Sequence, residues 1–199
     1  RSVGWFGFNG GSALAADSTA SMAVLVTHIA ASLGALSWMI IEWIRFGKPS
    51  LVGMVTGMVA GLATITPASG FVGIEGALIL GTLGGVLCYF AVDLIRLRLK
   101  IDDSLDVFAV HGVGGMLGTI LCAWLMSSEK GGVGFDEGLV LFDHLKVQAY
   151  AVLVAVIWTA IASYVILRVI SLFTSLRVDS ENESNGLDNS LHGETGYNK

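Results

Sequence analysis

The chain has 199 residues, of which 54% are hydrophobic and 14% are charged. Soluble domains carry about a quarter charged residues, so this composition excludes an ordinary soluble domain and favours lipid as the solvent. The net charge of −5 comes largely from acidic residues after Arg177. Nucleic-acid binding is also excluded, because it needs clustered Lys and Arg. Cys88 and Cys122 lie inside apolar runs, where a small buried side chain is expected rather than a disulfide.

Five apolar runs have the length of a transmembrane helix, which needs about 20 residues, with roughly 17 tolerated. They are residues 21–44, 51–67, 72–95, 105–126 and 145–176. A shorter apolar stretch, 3–15, precedes them and is too short and too Gly-rich for a signal peptide. We interpret it as the latter part of a helix in a longer chain. The sequence therefore predicts an all-α fold, a polytopic membrane helix bundle of five full transmembrane helices plus the end of a sixth.

Basic residues predict how this bundle is oriented. Seven of them lie near the ends of the first, third and fifth runs, whereas the alternate loops contain two, Lys130 and Lys146. Cytoplasmic loops carry the excess of Lys and Arg. We therefore expect these three ends, and the C-terminus, to be cytoplasmic. The seven residues are Arg45, Lys48, Arg96, Arg98, Lys100, Arg168 and Arg177.

Small residues recur every four positions in three successive runs. Such stripes let helix backbones approach closely in lipid. Glycine is common in membrane helices in general, but three stripes in succession favour close packing of these helices. The stripes are Gly53, Gly57 and Gly61, then Ala77, Gly81 and Gly85, then Gly114 and Gly118.

The last run is longer than the bilayer requires. Roughly 32 residues at 1.5 Å each span about 48 Å, against a hydrocarbon core of ~30 Å. This helix must tilt strongly or project into the cytoplasm. We therefore predict a transmembrane transporter domain over 1–176 and a cytoplasmic tail over 177–199. The tail is polar and turn-rich, and little fold of its own is expected there.

His111 lies inside the fourth apolar run and is followed by small residues. An ionisable side chain at membrane depth is costly and marks a substrate or proton path, although a packed, hydrogen-bonded histidine is the alternative. A neutral imidazole has one donor and one acceptor nitrogen. It can bind a small polar solute, or pass a proton if a second such group is near. His28 is a competing candidate, and His144 and His192 rank below both.

The segment GWFGFNGGS places Trp5, Phe6 and Phe8 near the predicted outer surface, with Ser12 one turn after Phe8. Aromatic faces attract cations by roughly 0.5–2 kcal/mol when partly desolvated. A hydroxyl can accept a hydrogen bond from an N–H donor. Taken alone, the segment is more typical of an interfacial aromatic belt.

Acidic residues precede the His111 helix. Acidic side chains in a first turn cap the helix and favour its dipole, which is the role expected for Asp103. Asp106 either pairs with a basic residue of a neighbouring turn or shapes the field at a pore exit. The sequence shows no metal-ligand cluster, phosphate loop or nucleophile–base spacing. We therefore expect no metal, no cofactor and no enzymatic activity.

Four motifs resemble the ammonium transporter family, Amt, of the Amt/Rh superfamily. They occur in the family's order and span essentially the whole chain: GWFGFNGGSALAA, GKPSLVGMVTGMVAGLATITPASGFV, DDSLDVFAVHGVGGMLGT and GLDNSLHGETGY. The resemblance implies an eleven-helix fold whose first ten helices form two inverted halves, assembled as a homotrimer with one pore per subunit. Inverted halves place the substrate path at their interface. This chain would hold the end of helix six and helices seven to eleven, and would not form a working pore by itself.

The resemblance also implies roles for individual residues. Ser12 matches the serine that helps bind ammonium at the outer vestibule, and Phe8 matches one of two stacked phenylalanines that gate the pore. His111 matches the second of the twin histidines that line the pore, and the first would lie upstream. The residues that match the surrounding motifs are Trp5, Asn9, Asp103 and Asp106.

The implied function is ammonium transport across the plasma (inner) membrane. Ammonium would be recruited at the outer aromatic and serine site, and ammonia would be conducted past His111 into the cytoplasm. The tail resembles a segment that docks on neighbouring subunits and, in many prokaryotic members, meets a PII-type regulator. Two alternatives stay open. One is an ammonium sensor or regulatory membrane protein acting through the tail, and the other is a membrane enzyme with His111 as base and His28 as second group.

Overall fold

A computed structural model of the chain describes residues 2–135, 138 and 140–195. Within these ranges all the regular structure is helical. The α-helices of this part of the chain are α1 (Ser2–Gly11), α2 (Ser18–Phe46), α3 (Leu51–Ile65), α4 (Ile74–Val92), α5 (Val113–Leu125), α6 (Leu141–Ile170) and α7 (Ser180–Asn185). The all-α prediction is confirmed over the described residues.

Local side chains set where the long helices begin and end. Asp17 precedes α2 and accepts a hydrogen bond from the Ala20 amide (3.0 Å), which satisfies one of the free donors of the first turn. Gly47 ends α2 in the left-handed conformation (φ 76°), which glycine adopts without steric cost. Ser50 then caps α3 through the Gly53 amide (2.8 Å). Residues 47–50 therefore form a tight turn between two antiparallel helices.

Short non-α segments extend three of the helices. The 3₁₀ turn Thr66–Ala68 follows α3, the π-helical segment Asp93–Arg98 follows α4, and the π-helical segment Val107–Gly112 precedes α5. The sequence pattern does not distinguish these segments from α-helix. Only Val107–Gly112 lies wholly inside a predicted run, the fourth, whereas the other two segments continue one and three residues beyond the ends of the second and third runs.

Five helical spans in the described ranges are long and apolar enough to cross a membrane, which confirms the predicted number of full spans. They are Ser18–Phe46, Leu51–Ala68, Ile74–Arg98, Val107–Leu125 and Leu141–Ile170. The last helix is displaced from its predicted bounds: it runs from Leu141 to Ile170, 30 residues against the 32 predicted, and a turn over 171–173 follows it. The short helix before them was predicted over 3–15 and is observed as α1.

The glycine stripes bring helix backbones into contact, as predicted. A Cβ added to Gly61 of α3 or to Gly81 of α4 would collide with the backbone of Ala30 in α2. A Cβ added to Gly118 of α5 would collide with the Thr64 carbonyl of α3. Because no side chain separates these backbones, α2 lies in direct contact with α3 and α4, and α5 in direct contact with α3.

Apolar side chains fill the remaining space between these helices. One cluster joins α2, α4 and α5 with the C-terminal end of α3, and a second contains Trp38, Cys88 and Tyr89. Cys88 and Cys122 are buried and unpaired, which confirms their expected role as small core residues. The first cluster consists of Val26, Ala30, Ile65, Ala68, Val72, Ala77, Leu80, Cys122 and Leu125.

By packing, the chain divides into two compact units, Arg1–Val152 and Leu153–Lys199. The second unit contains the latter part of α6, the helix α7 and the π-helical segment Asp188–His192. Little fold was expected in the tail, but the tail contains the short helix α7. Asp179 caps this helix by accepting a hydrogen bond from the Asn182 amide (2.8 Å). The division into 1–176 and 177–199 stays a prediction, and residues 196–199 of that tail lie outside the described part.

We expect the pKa of Glu183 to lie below its ordinary value. Arg177 causes this, because its Nη2 and Nε donate to the Glu183 carboxylate at 2.9 and 3.4 Å. A lowered carboxyl pKa means that the contact stabilises the tail above the ordinary pKa, and that this contribution is lost as the pH falls through the lowered value. A ¹³C NMR titration of Glu183 should show the ordinary pKa restored in Arg177→Gln. Arg168→Gln is the control, and an unchanged Glu183 pKa in Arg177→Gln would contradict the assignment.

Candidate functional site

Two polar residues on one face of α1 fix this short helix against the bundle. The indole Nε1 of Trp5 donates to the Thr66 hydroxyl at 2.7 Å. One turn later, the side-chain amide of Asn9 donates to the buried hydroxyl of Thr27 in α2 at 2.9 Å. Residues four apart share a helix face, so these two bonds set the rotation of α1 about its own axis.

Trp5 and His111 lie together although 106 positions separate them. Their rings stack with a centroid distance of 6.1 Å and an interplanar angle of 15°. His111 belongs to the π-helical segment Val107–Gly112, and its side chain is exposed in the described chain. In residues 2–135, 138 and 140–195, no hydrogen bond to the imidazole is found. Both ring nitrogens are therefore available to a solute or to a further helix.

Phe8 in α1 and Ser12, directly after the end of α1, are both exposed. The Phe8 side chain is 61% exposed, and its ring meets Trp5 edge-on at 6.5 Å between centroids. The Ser12 hydroxyl donates to the Phe8 carbonyl at 2.7 Å. Because a hydroxyl has only one hydrogen to donate, this bond leaves the oxygen lone pairs of Ser12 as acceptors. An acceptor beside an aromatic face suits a cation that carries N–H groups.

Asp103 holds the beginning of the segment that carries His111. Its carboxylate accepts from the amides of Val107 (2.8 Å), Phe108 (3.0 Å) and Ala109 (3.0 Å). These are donors that a helix start leaves without intrahelical partners, and an anionic cap there also favours the helix dipole. The backbone that leads to His111 is therefore fixed at its first turn.

Asp106 pairs with a neighbouring turn, which was one of its two predicted roles. Arg96 Nη1 donates to its Oδ1 at 3.2 Å, and Arg96 belongs to the π-helical segment at the end of α4. Asp106 itself adopts the left-handed backbone conformation (φ 54°), which Asp tolerates better than most residues. The pair therefore ties the end of one transmembrane span to the start of the next.

Two of the other histidines contact aromatic rings other than Trp5. His28 in α2 is exposed and meets the Phe6 ring edge-on at 5.8 Å. His144, near the start of α6, packs on Phe135 at 4.9 Å. His192 ends the π-helical segment of the tail. The structure thus pairs His28 and His111 with two different aromatic residues of α1.

Sequence reasoning missed Thr66 and Thr27, the two hydroxyls that hold α1. Thr66 precedes Pro67 at the end of α3, and the Thr-Pro dipeptide signals a helix end but not a hydrogen bond to a residue 61 positions away. Thr27 lies mid-helix and its hydroxyl also bonds to the Ala23 carbonyl (2.6 Å), a local arrangement common for threonine in helices. A single sequence carries no signal for either long-range bond.

A family model described as the Ammonium Transporter Family matches residues 2–197. The chain belongs to the Ammonium Transporter Family. This confirms the resemblance inferred from the four motifs. Together with the five apolar spans, it establishes the chain as part of a multi-pass membrane protein of this family.

Relatives within the family match almost the whole chain but only part of their own length. The ammonium transporter of Aquifex aeolicus (strain VF5) is 43% identical over 197 residues, which is 98% of this chain and 46% of the relative. The ammonium transporter Amt1 of Archaeoglobus fulgidus is 42% identical over 196 residues, 98% of this chain and 49% of the relative. The chain therefore spans about half the length of the curated relatives it matches.

A solved structure titled "Sensor Amt Protein" shares the fold of this family member. It aligns with a TM-score of 0.85 and 32% sequence identity, over 94% of this chain and 45% of the other. The helix bundle is therefore that of the Amt proteins. The fold class predicted from the sequence, an all-α membrane helix bundle of the Amt type, is confirmed.

Proposed function

We propose that this protein transports ammonium from the outer side of a membrane into the cytoplasm. The observation that carries the proposal is the placement of His111 beside Trp5, at an exposed face, in a chain of the Ammonium Transporter Family. The named relatives at 43% and 42% identity are ammonium transporters, so we favour transport over sensing or catalysis.

Recruitment of the cation is assigned to Trp5, Phe8 and Ser12. Ammonium carries four N–H donors and a positive charge. It fits an acceptor oxygen next to aromatic faces, and such faces contribute roughly 0.5–2 kcal/mol to cation binding. Ser12 offers its lone pairs because its own hydrogen is donated to Phe8. Phe8 lies between Ser12 and Trp5, and we assign it the gate below the recruitment site.

Conduction past the gate is assigned to neutral ammonia. An unpaired cation in a narrow apolar path would lose its hydration without compensation, so ammonium is expected to release its proton to water at the outer site before ammonia enters. A neutral imidazole at His111 offers one donor and one acceptor to the solute. Its exposed ring would then face the helices of the other inverted half, where the family places the partner histidine. This accounts for an exposed ionisable group at membrane depth.

The complete gene product should take up methylammonium when expressed in cells that lack their own ammonium uptake. We expect saturable uptake that unlabelled ammonium competes away, measured with radiolabelled methylammonium and normalised to protein in the membrane. Absence of uptake by protein that has reached the membrane would reject the proposed function. An ammonium-dependent change in downstream signalling, without accumulation of methylammonium, would favour the sensor alternative instead.

Two partner assignments accompany this function. We infer a homotrimer from the family resemblance, and we infer that the tail contacts neighbouring subunits or a PII-type regulator. The tail's acidic residues and its capped helix α7 form a defined feature that such a partner can recognise. Size-exclusion chromatography with light scattering tests the trimer, and a pull-down with a PII-type protein tests the tail.

Cysteine labelling in intact cells tests the predicted orientation in the plasma (inner) membrane. Ser128→Cys should react with a membrane-impermeant maleimide from outside, whereas Lys48→Cys should react only after permeabilisation. Both positions are exposed, and they lie in turns that the distribution of basic residues places on opposite sides. The buried Cys88 and Cys122 should contribute little background, which the parent protein measures. The reverse labelling pattern would invert the topology and place the C-terminus outside.

A further inference from the structure

Thr66 uses its hydroxyl to connect the end of α3 to the candidate transport path. The hydroxyl donates to the Leu62 carbonyl at 2.7 Å and accepts from Trp5 Nε1 at 2.7 Å. Its single hydrogen is committed to Leu62, so its lone pairs are turned towards the indole. Donor and acceptor therefore match, and the bond is partly buried.

We propose that Thr66 is a positioning residue for the transport path, which holds the Trp5 indole in the plane on which His111 stacks. The assignment rests on the proposed transport function. Thr66 lies on a different element from both rings and acts on His111 only through Trp5.

The geometry of the two rings supports this role. They are within 15° of parallel. Rotation of the indole about its side-chain torsions would break the Thr66 bond and leave a partly buried N–H without a partner, which is unfavourable. The Thr66 bond therefore selects the indole orientation that matches the imidazole.

His111, the other ring of the stack, is fixed by contacts that do not involve Thr66. Asp103 holds the three amides that begin the His111 segment, so the imidazole is carried by an anchored backbone. Asp103 thus holds the His111 segment, and Thr66 holds the Trp5 indole. Loss of the Thr66 hydroxyl should therefore release the indole and leave the backbone of His111 in place.

Thr66→Val removes the acceptor and keeps the size of the side chain. In the complete gene product, we expect methylammonium turnover per transporter to fall about tenfold, the effect of losing one partly buried hydrogen bond. The half-saturating concentration should change less than turnover, because Ser12 and Phe8, two of the three residues assigned to recruitment, are not altered. Thr66→Ser keeps the hydroxyl and should restore turnover.

A matched control and a coupled variant separate positioning from helix stability. Thr56→Val removes a hydroxyl that bonds within the same helix, to the Val52 carbonyl at 2.9 Å, and should leave turnover unchanged. Trp5→Phe lacks the indole N–H, so adding Thr66→Val to it should cause no further loss. An additional loss in the double variant would overturn the proposal. If the Thr66→Val protein does not reach the membrane, Thr66→Cys replaces it in the experiment. Because sulfur is a weak acceptor, Thr66→Cys should lose only part of the turnover.

A readout independent of transport distinguishes the two possible failures. The indole N–H signal of Trp5, assigned with Trp5→Phe in ¹⁵N-tryptophan-labelled protein, should shift in Thr66→Val and not in Thr56→Val. If the parent protein takes up no methylammonium, the proposed function fails whatever the NMR signal does. If the parent transports and Thr66→Val leaves both turnover and the Trp5 signal unchanged, transport stands and the role of Thr66 is rejected.

Discussion

Replacing His111 by alanine in the complete gene product should reduce methylammonium uptake by about tenfold or more, as expected when the polar group that meets a solute in a dry path is removed. The fold should survive, because the exposed imidazole stacks on Trp5 and accepts or donates no hydrogen bond within the described ranges. The loss is therefore expected in turnover rather than in the amount of assembled protein. Uptake by radiolabel, normalised to membrane protein, measures it.

His28→Ala is the matched control for that experiment. His28 is also exposed on a transmembrane helix and also contacts an aromatic residue of α1, but its partner is Phe6. Uptake should persist in His28→Ala. Unchanged uptake in His111→Ala would reject the pore role of His111, and loss of uptake in His28→Ala alone would transfer that role to the competing histidine.

Gly118→Ala should prevent stable packing of α5 against α3. The added methyl group would be driven into the Thr64 carbonyl, and backbone atoms cannot move aside as a flexible side chain can. Overpacking of this kind costs about 1–3 kcal/mol or more. We expect the upper part of that range, seen as a lower unfolding temperature in detergent and less protein in the membrane.

Gly115→Ala on the same helix is the control, because a Cβ there has open space around it in the described chain. Alanine is also the better helix former by about 0.8–1.0 kcal/mol, so this variant should be as stable as the parent or slightly more so. Equal destabilisation by both variants would show that loss of glycine itself, and not collision with Thr64, is responsible.

The transmembrane spans and the helix faces that pack together could be predicted, because each depends on a pattern that is local in the sequence. Run length and hydrophobicity determine which segments cross the bilayer. Spacing of small residues determines which faces can touch, and Gly61, Gly81 and Gly118 all lie at backbone contacts as the spacing predicted. Asp103 could likewise be assigned a capping position from its place before an apolar run.

The arrangement of the candidate site could not be predicted in the same way. Whether Trp5 meets His111, and whether Thr66 or water accepts its N–H, depends on how three helices separated in sequence are rotated against each other. Periodicity gives a buried face but not its partner. The π-helical segment around His111 was also missed, because an extra residue in a turn leaves the apolar pattern almost unchanged. The family resemblance supplied roles for Trp5, Phe8, Ser12 and His111, and those roles stay predictions.

The contact of Ala30 with both Gly61 and Gly81 has a consequence for motion during the proposed transport. Sliding or turning α2 would push bulkier positions into the gaps that only glycine now fills, and packed interiors resist such compression. The three helices should therefore move as a single body through each transport cycle. Any opening and closing is then left to side chains at the rim, and the largely uncovered ring of Phe8 has the freedom that such a swing requires.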